Sequence, residues 1–116
     1  MTSRDRPMAF DESLAARIRT VLARKKSVEE KKMFGGLGFL LNGNLLVGVW
    51  KNSMIVRLGA DEQVAGLLEQ HVSVFDITGK PMKNWVMVAA AGVADQGSVK
   101  AWVQRAMKFV AKLPAK

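Results

Sequence analysis

Residues Val28–Leu58 read VEEKKMFGGLGFLLNGNLLVGVWKNSMIVRL, and this stretch decides the fold. Its apolar residues form short runs separated by turn residues, a pattern typical of β-strands rather than of an amphipathic helix. Asn42-Gly43 predicts a tight hairpin turn because both residue types tolerate a positive φ, and Lys51-Asn52 predicts another turn. We therefore predict an antiparallel meander with strands over residues 28–34, 37–41, 45–50 and 53–58.

Helices are predicted on both sides of this meander. Residues 11–26 carry apolar residues at helical spacing, with acidic residues at the start and basic residues at the end, as the helix dipole favours. Residues 60–70 suit a short helix. Residues 98–113 form the clearest amphipathic helix, for which we predict Ser98 as the N-cap.

Two further strands are predicted over residues 73–78 and 85–90, separated by a break at Gly79-Lys80-Pro81. The predicted element order is therefore α-β-β-β-β-α-β-β-α. Because strands follow one another without a repeated βαβ pattern, the sequence predicts the α+β class. We expect two layers, an antiparallel sheet with helices on one face.

The composition is that of one small globular domain. The chain has 116 residues, of which 49% are apolar, enough for a hydrophobic core. It has no cysteine, which excludes disulfides and a thiol nucleophile. No apolar stretch reaches the roughly 20 residues that span a bilayer, and residues 1–7 lack a following apolar segment, so they predict a flexible tail rather than a secretory signal. We expect a cytoplasmic protein with a single domain over residues 8–116.

No group of residues predicts catalysis. His71 is the only histidine and has no serine-containing motif beside it, so we interpret it as a solvated residue at a helix end. One histidine without cysteines does not suffice for a typical transition-metal site. Glu29 and Glu30 are strand neighbours that point to opposite faces, so they do not form an acid–base pair. We expect no enzymatic activity, no cofactor and no metal; an enzyme using His71 or Asp76 is the remote alternative.

The glycines of Gly35-Gly36-Leu37-Gly38 do not predict a phosphate-binding loop. They lack the GxGxxG spacing, and strands are predicted on both sides, whereas a phosphate-binding loop leads into a helix. We predict that these glycines form a bulge or a sharp bend in the sheet.

The net charge of +8 favours anionic partners such as nucleic acids, because neutralising phosphates provides sequence-independent affinity. However, the chain has no tyrosine and lacks the interleaved aromatic and basic residues of RNA-binding sheets, so solvated surface charge is the other interpretation. The candidate interaction or nucleic-acid surface comprises basic residues near the first helix end, the first strand and the glycine-proline break: Arg24, Lys25, Lys26, Lys31, Lys32, Lys80 and Lys83.

Several motifs together resemble the TfoX N-terminal domain family, which is found in bacterial competence regulators of the TfoX/Sxy type. The resemblance extends over roughly Met8–Pro114 and rests on Lys31-Lys-Met-Phe-Gly-Gly36, Asn42-Gly43-Asn44, Val47-Gly48-Val49, Val56-Arg57 and Thr78-Gly-Lys-Pro-Met-Lys-Asn-Trp-Val86. We interpret the residues of these motifs as structural: Met33, Phe34, Gly35, Gly36, Gly43, Gly79, Pro81 and Trp85.

This resemblance implies an α+β fold similar to that of secretion chaperones and no established enzymatic activity. It also implies a link to transcriptional control of DNA-uptake genes, alongside a cyclic-AMP receptor protein. The chain departs from the two-domain regulators because it reaches Lys116 without a second TfoX domain, so we expect a stand-alone domain. The leading hypothesis is a regulatory module that binds protein partners, among them a transcription regulator or a second copy in a homodimer. Direct nucleic-acid binding is the alternative.

Overall fold

The computed structural model describes residues 10–33, 35–76 and 82–116. Within them lie three α-helices, which are α1 (Glu12–Leu22), α2 (Ala60–Gly66) and α3 (Gln96–Val110). The six strands are β1 (Val28–Met33), β2 (Gly36–Leu41), β3 (Asn44–Trp50), β4 (Ser53–Arg57), β5 (Val72–Val74) and β6 (Trp85–Val88). A short 3-10 helix over Ala90–Val93 precedes α3. The predicted order of helices and strands is confirmed, with this 3-10 helix as an addition.

All six strands form one antiparallel sheet in the order β1-β2-β3-β4-β6-β5. The predicted hairpin turn joins β2 to β3, with φ of 54° at Asn42 and 83° at Gly43. Positive φ at both central residues is what a tight turn between twisted strands requires. The second predicted turn is also confirmed, since Trp50 pairs with Ser53 across it. Local turn chemistry therefore sets the register of the meander.

The helices supply the second layer, so the two-layer α+β prediction is confirmed. Helices α1 and α3 pack on one face of the sheet, and their buried residues join those of β2, β3 and β4 in the main hydrophobic core. Helix α2 lies beside α3, where the Arg105 guanidinium lies 3.6 Å from the Glu62 carboxylate. An aspartate caps each long helix: Asp11 accepts hydrogen bonds from the first turn of α1, and Asp95 does so for α3.

Several predicted helix boundaries are wrong. Helix α2 ends at Gly66 rather than at residue 70, and α3 ends at Val110 rather than at residue 113. Helix α1 ends at Leu22, before the basic run, because the chain turns there and Ser27 adopts a φ of 65° that leads into β1. Helix α3 starts at Gln96 instead of Ser98. The N-cap is Asp95, and Ser98 lies in the first turn, where its backbone N–H and hydroxyl both donate to the Asp95 carboxylate.

The glycine-rich stretch does not form the predicted bulge at Gly36 and Gly38. Both glycines lie in regular pairing, and the register shift falls instead between Phe39 and Leu40, where β3 accommodates one extra residue. Gly35 does form a turn, with a φ of 78°. Gly36 is needed for close approach, since an added Cβ would overlap the backbone carbonyl oxygen of Val49.

The last two strands are shorter than predicted. Strand β5 ends at Val74 because Phe75 turns away to pack with Trp85, and the carbonyl of Phe75 accepts a hydrogen bond from Met82 N–H at 2.9 Å. Strand β6 ends at Val88, before the 3-10 helix. The predictions for the tail over residues 1–7, for Phe34 and for Gly79, Lys80 and Pro81 lie outside the described residues.

Candidate interaction surface on the open face of the sheet

The sheet face opposite α1 and α3, here called the open face, has its own small apolar cluster. Ile55, Phe75 and Trp85 are buried there, apart from the main core. Phe75 connects two indoles, since its ring lies 6.3 Å from that of Trp50 and 6.0 Å from that of Trp85. These edge and tilted arrangements are favourable for aromatic pairs. The segment after β5 is thereby anchored on the open face.

A row of paired residues crosses the open face, and two of its members have no side chain. In an antiparallel sheet, directly paired residues project to the same side. The row runs from β1 across to β5 through Lys31, Gly38, Gly48, Ile55, Met87 and Ser73. The two adjacent glycines leave a depression between larger neighbours.

This depression is a pocket, here called the methionine pocket. Its floor contains the backbone of Gly36, Gly38 and Gly48, and its walls are apolar: Met33, Leu45, Trp50, Ile55, Phe75, Met82 and Trp85. Met33 belongs to β1, whereas Met82 comes from the segment before β6. The pocket is therefore assembled from both halves of the chain.

The missing side chains keep the pocket open. A Cβ at Gly38 would lie 2.7 Å from Leu45 Cδ1 and 3.1 Å from Met33 Cε, so it would occupy the space between the walls. A Cβ at Gly48 would lie 2.9 Å from the Leu37 carbonyl oxygen. Glycine at these positions thus has both a packing role and a role in shaping the surface.

The size of the methionine pocket limits what it can hold. Its volume is about 40 Å³, whereas sites for small-molecule ligands typically enclose roughly 300 Å³ or more. A methyl-bearing side-chain tip fits into such a space. Because methionine walls are flexible and polarisable, they adapt to inserted apolar groups. The arrangement suits one anchoring side chain from a macromolecular partner.

A glutamine from α2 fixes one wall of the methionine pocket. Gln63 donates from Nε2 to the carbonyl oxygens of Met82 at 3.2 Å and Trp85 at 3.0 Å. Its Oε1 accepts a hydrogen bond from the backbone N–H of Asn84 at 3.1 Å. One side chain thereby satisfies three backbone groups of the segment that carries Met82 and Trp85.

Cations lie around the methionine pocket. Lys51 Nζ lies 4.7 Å from the centre of the Trp50 ring, and the Arg57 guanidinium lies 5.7 Å from that of Trp85, distances at which a cation is attracted to the ring face. Lys31 projects to the same face because it pairs with Gly38. Glu29 lies two residues before Lys31 in β1, so this acidic residue projects to the same face.

The predicted basic surface does not form one patch on one face. Arg24, Lys25 and Lys26 are exposed in the turn between α1 and β1. Lys31 and Lys32 are exposed but point to opposite faces, since Lys32 pairs with the buried Leu37 on the helix side.

Lys83, another member of that predicted surface, lies towards the other edge of the sheet. Lys83 is exposed just before β6, which is separated from β1 by three strands. Lys80 lies outside the described residues. The alternation of the strands and the strand order thus distribute the predicted cations over different faces.

An ion pair occupies the corner between α1 and β1. Arg19 donates from Nε and Nη2 to the two carboxylate oxygens of Glu30, at 2.6 and 2.8 Å. This hydrogen bonding lowers the pKa of the Glu30 carboxyl and raises that of Arg19. The acidic partner reduces the positive potential near the neighbouring basic run, which weakens that corner as an anion site.

The residues considered for catalysis do not converge in the methionine pocket. His71 is exposed after α2, with a φ of 68°, and Asp76 is exposed beside Phe75. Among residues 10–33, 35–76 and 82–116, no three acidic or histidine side chains form a group that could hold a metal ion. No helix in the described part of the chain combines the length and apolar character needed to cross a membrane.

Of the family-motif residues, Met33 and Trp85 line the methionine pocket, while Gly35 and Gly43 form turns with positive φ. Sequence reasoning did not find the pocket. The available signal was a pair of glycines two residues apart in one strand, Gly36 and Gly38, facing Gly48 in the next strand of the same meander. Their alternation predicts a strip without side chains on one face of the sheet, but it does not predict which residues surround that strip.

The fold is a small α+β domain with a helix-covered sheet and an apolar pocket on its open face. A family model for the TfoX N-terminal domain matches residues 20–110, most of the chain. The chain therefore belongs to the TfoX N-terminal domain family, as its motifs indicated. No curated protein and no solved structure gives a significant match.

Proposed function

We propose that this chain is a non-enzymatic regulatory module that binds a protein partner through the open face. The observation that carries the proposal is the methionine pocket, which is apolar, has walls contributed by distant segments and has a volume of about 40 Å³. That volume suits an anchoring side chain better than a small-molecule substrate. Interfaces of this kind concentrate their binding energy in a few apolar or aromatic residues around a pocket.

The family supports the regulatory part of the proposal, because the TfoX N-terminal domain is a regulatory domain type. We propose a cytoplasmic role in transcriptional regulation, with a transcription regulator as the partner. Competence is the particular process that the family suggests. A cofactor has no part in this function.

Site-specific photocrosslinking in the native cell tests the proposal. A photoreactive amino acid replaces Lys31 on the open face, and the matched control replaces Lys100, an exposed lysine of α3 on the other layer. We expect a discrete protein adduct from position 31 that resists nuclease and is absent from position 100. Equal adducts from both positions, or nucleic-acid adducts alone, would overturn the proposal.

Direct nucleic-acid binding is the second candidate, supported by the exposed run of Arg24, Lys25 and Lys26. It predicts an affinity for duplex DNA that falls steeply with salt, since each phosphate contact releases counterions. Lys25→Ala/Lys26→Ala would then weaken binding, whereas Lys100→Ala would not. Loss of binding that is the same in both variants would contradict a dedicated basic surface.

A further inference from the structure

We infer that the segment bound at the methionine pocket is acidic, with one apolar side chain flanked by Asp or Glu. This inference rests on the proposed function and adds the chemistry of the partner. The charges around the pocket provide the argument. Lys51 and Arg57 each lie against an aromatic ring of the pocket wall, and Lys31 projects from the adjacent strand.

Arg57 is the strongest indication of an acidic partner. Its guanidinium lies 5.7 Å from the ring centre of Trp85 and 5.8 Å from that of Phe109, a residue of α3. Nη1 donates to the Leu45 carbonyl oxygen at 3.2 Å, while the buried Nε has no hydrogen-bond partner among the described residues. The pairs formed among the described acids involve Arg19 and Arg105 instead. A carboxylate is the natural complement of a guanidinium held in this way.

Lys51 is a further cation near the pocket wall. Together with Lys31 and Arg57 it forms what is here called the positive rim of the pocket. Lys51 occupies the turn between β3 and β4, is exposed and lies over the face of Trp50. Lys83 is exposed next to the wall residue Met82. Two exposed acidic residues lie near these cations: Asp76 follows the wall residue Phe75, and Glu29 projects from β1 to the same face as Lys31. Cations thus outnumber anions around the apolar pocket. A bound segment whose apolar side chain has acidic neighbours is therefore favoured, and one with basic neighbours is disfavoured.

Peptide selection with the full chain tests this inference. Random peptides displayed on phage are selected against the protein, and the enriched peptides are synthesised and titrated. We expect Leu, Met or Phe flanked by Asp or Glu, with an affinity that weakens as salt is raised. Lys51→Gln should weaken binding about threefold, and Arg57→Gln by more, about tenfold, since its guanidinium is partly desolvated.

Matched variants separate charge from pocket shape. Lys100→Gln removes the same charge from α3 and should leave peptide affinity unchanged. Gly38→Ala narrows the pocket without changing any charge and should abolish most of the peptide binding. Met33→Gln changes one partly exposed wall residue, so it tests the pocket again if Gly38→Ala alters folding. Circular dichroism and thermal unfolding show whether each variant folds.

The outcomes distinguish the inference from the proposed function. Peptides that are apolar but not acidic, and that respond to Gly38→Ala but not to Lys51→Gln, overturn the acidic partner and leave the proposed function standing. Peptides that respond to neither pocket variant, or no enriched peptides at all, overturn both. If duplex DNA displaces the acidic peptides and its own binding needs Lys51, the rim is a phosphate site and the inference is wrong.

Discussion

The indole of Trp50 and the phenyl ring of Phe75 meet edge to face, with their centres 6.3 Å apart. One residue ends β3 and the other follows β5, which lie on either side of β4 and β6 in the sheet. This contact holds the segment after β5 on the open face and closes one side of the methionine pocket. The surface that we propose for recognition therefore depends on packing across the sheet, and its stability can be measured.

Phe75→Ala should reduce the free energy of unfolding by about 3 kcal/mol, because it leaves a cavity between two indoles. The Phe75 side chain is buried, with a residue exposure of 4%, and urea unfolding measures the loss. Val74→Ala is the control, since Val74 is 38% exposed and should cost less than about 1 kcal/mol. Equal losses from both variants would show that Phe75 does not anchor the segment.

Gly36→Ala should destabilise the protein more than Gly38→Ala, by about 1–3 kcal/mol. A Cβ at Gly36 would overlap the Val49 carbonyl oxygen, which is backbone and cannot move without disturbing the pairing of β2 and β3. At Gly38 the nearest atoms belong to the ends of the Leu45 and Met33 side chains. Thermal unfolding of the two variants gives the comparison, and the reverse order would contradict this account of the pocket floor.

Gln63→Ala should reduce the free energy of unfolding by about 1–3 kcal/mol, because it removes the hydrogen bonds that Gln63 makes to the carbonyls of Met82 and Trp85 and to the N–H of Asn84. Gln63→Glu is the informative companion variant. It keeps the acceptor for Asn84 N–H but replaces the donor with a carboxylate that repels both carbonyl oxygens. We expect faster hydrogen exchange of the Asn84 backbone N–H in the alanine variant. An unchanged exchange rate there would contradict the role of Gln63 in holding the segment that carries Met82 and Trp85.

Asp95→Ala should lower the melting temperature at neutral pH, since it removes the N-cap of α3. Hydrogen bonds from the Ser98 hydroxyl and N–H lower the pKa of the Asp95 carboxyl below its ordinary value of 3.8. A carboxyl with a lowered folded pKa stabilises the fold above its unfolded pKa, and this contribution disappears as the pH falls through the folded pKa. The difference between wild type and variant should therefore shrink below pH 3.8. The melting temperature of Asp95→Asn, which retains a capping acceptor, should depend less on pH. If the melting temperature of Asp95→Ala stays below that of the wild type by the same amount at every pH, the carboxylate is not the cap.

The Arg19–Glu30 pair should contribute only about 0.5 kcal/mol, as expected for an ion pair at the surface. Its side chains are 50% and 36% exposed, so solvent and salt screen the attraction. A double-mutant cycle with Arg19→Gln and Glu30→Gln measures this coupling. Because the Glu30 pKa is lowered by Arg19, the coupling is present at neutral pH and vanishes as the pH falls through the folded pKa. A coupling that is insensitive to salt would contradict a solvent-screened pair.

Local sequence was sufficient to predict the order of elements. Asn42-Gly43 determined one hairpin, and the stripe of apolar residues in α3 determined a helix that covers the sheet. Helix ends were less predictable, because neighbouring residues compete for the capping position. Ser98 was predicted as the N-cap of α3, but the N-cap is Asp95. The end of β5 depended on Phe75, whose packing on the open face no local pattern indicates, and β6 ended before the 3-10 helix.

The methionine pocket could be only partly predicted. Gly36, Gly38 and Gly48 were visible in the sequence, yet the interpretation of Gly36 and Gly38 as part of a bulge or sharp bend was wrong because the pairing stays regular there. The proposed basic surface was selected from proximity along the chain. Strand alternation then separated Lys31 from Lys32, and Arg57, which lies near the wall residue Trp85, was not among the residues selected.

By itself, the sequence determined the fold class, the hairpins and the family, because periodicity, turn chemistry and motif order are properties of neighbouring residues. Only the tertiary structure decided which surface is distinctive. Met33 and Met82 line one pocket although they are far apart in the chain, since antiparallel pairing and the segment after β5 bring them to the same face. The partner chemistry that we infer follows from that convergence of apolar walls and cations, which chain proximity does not encode.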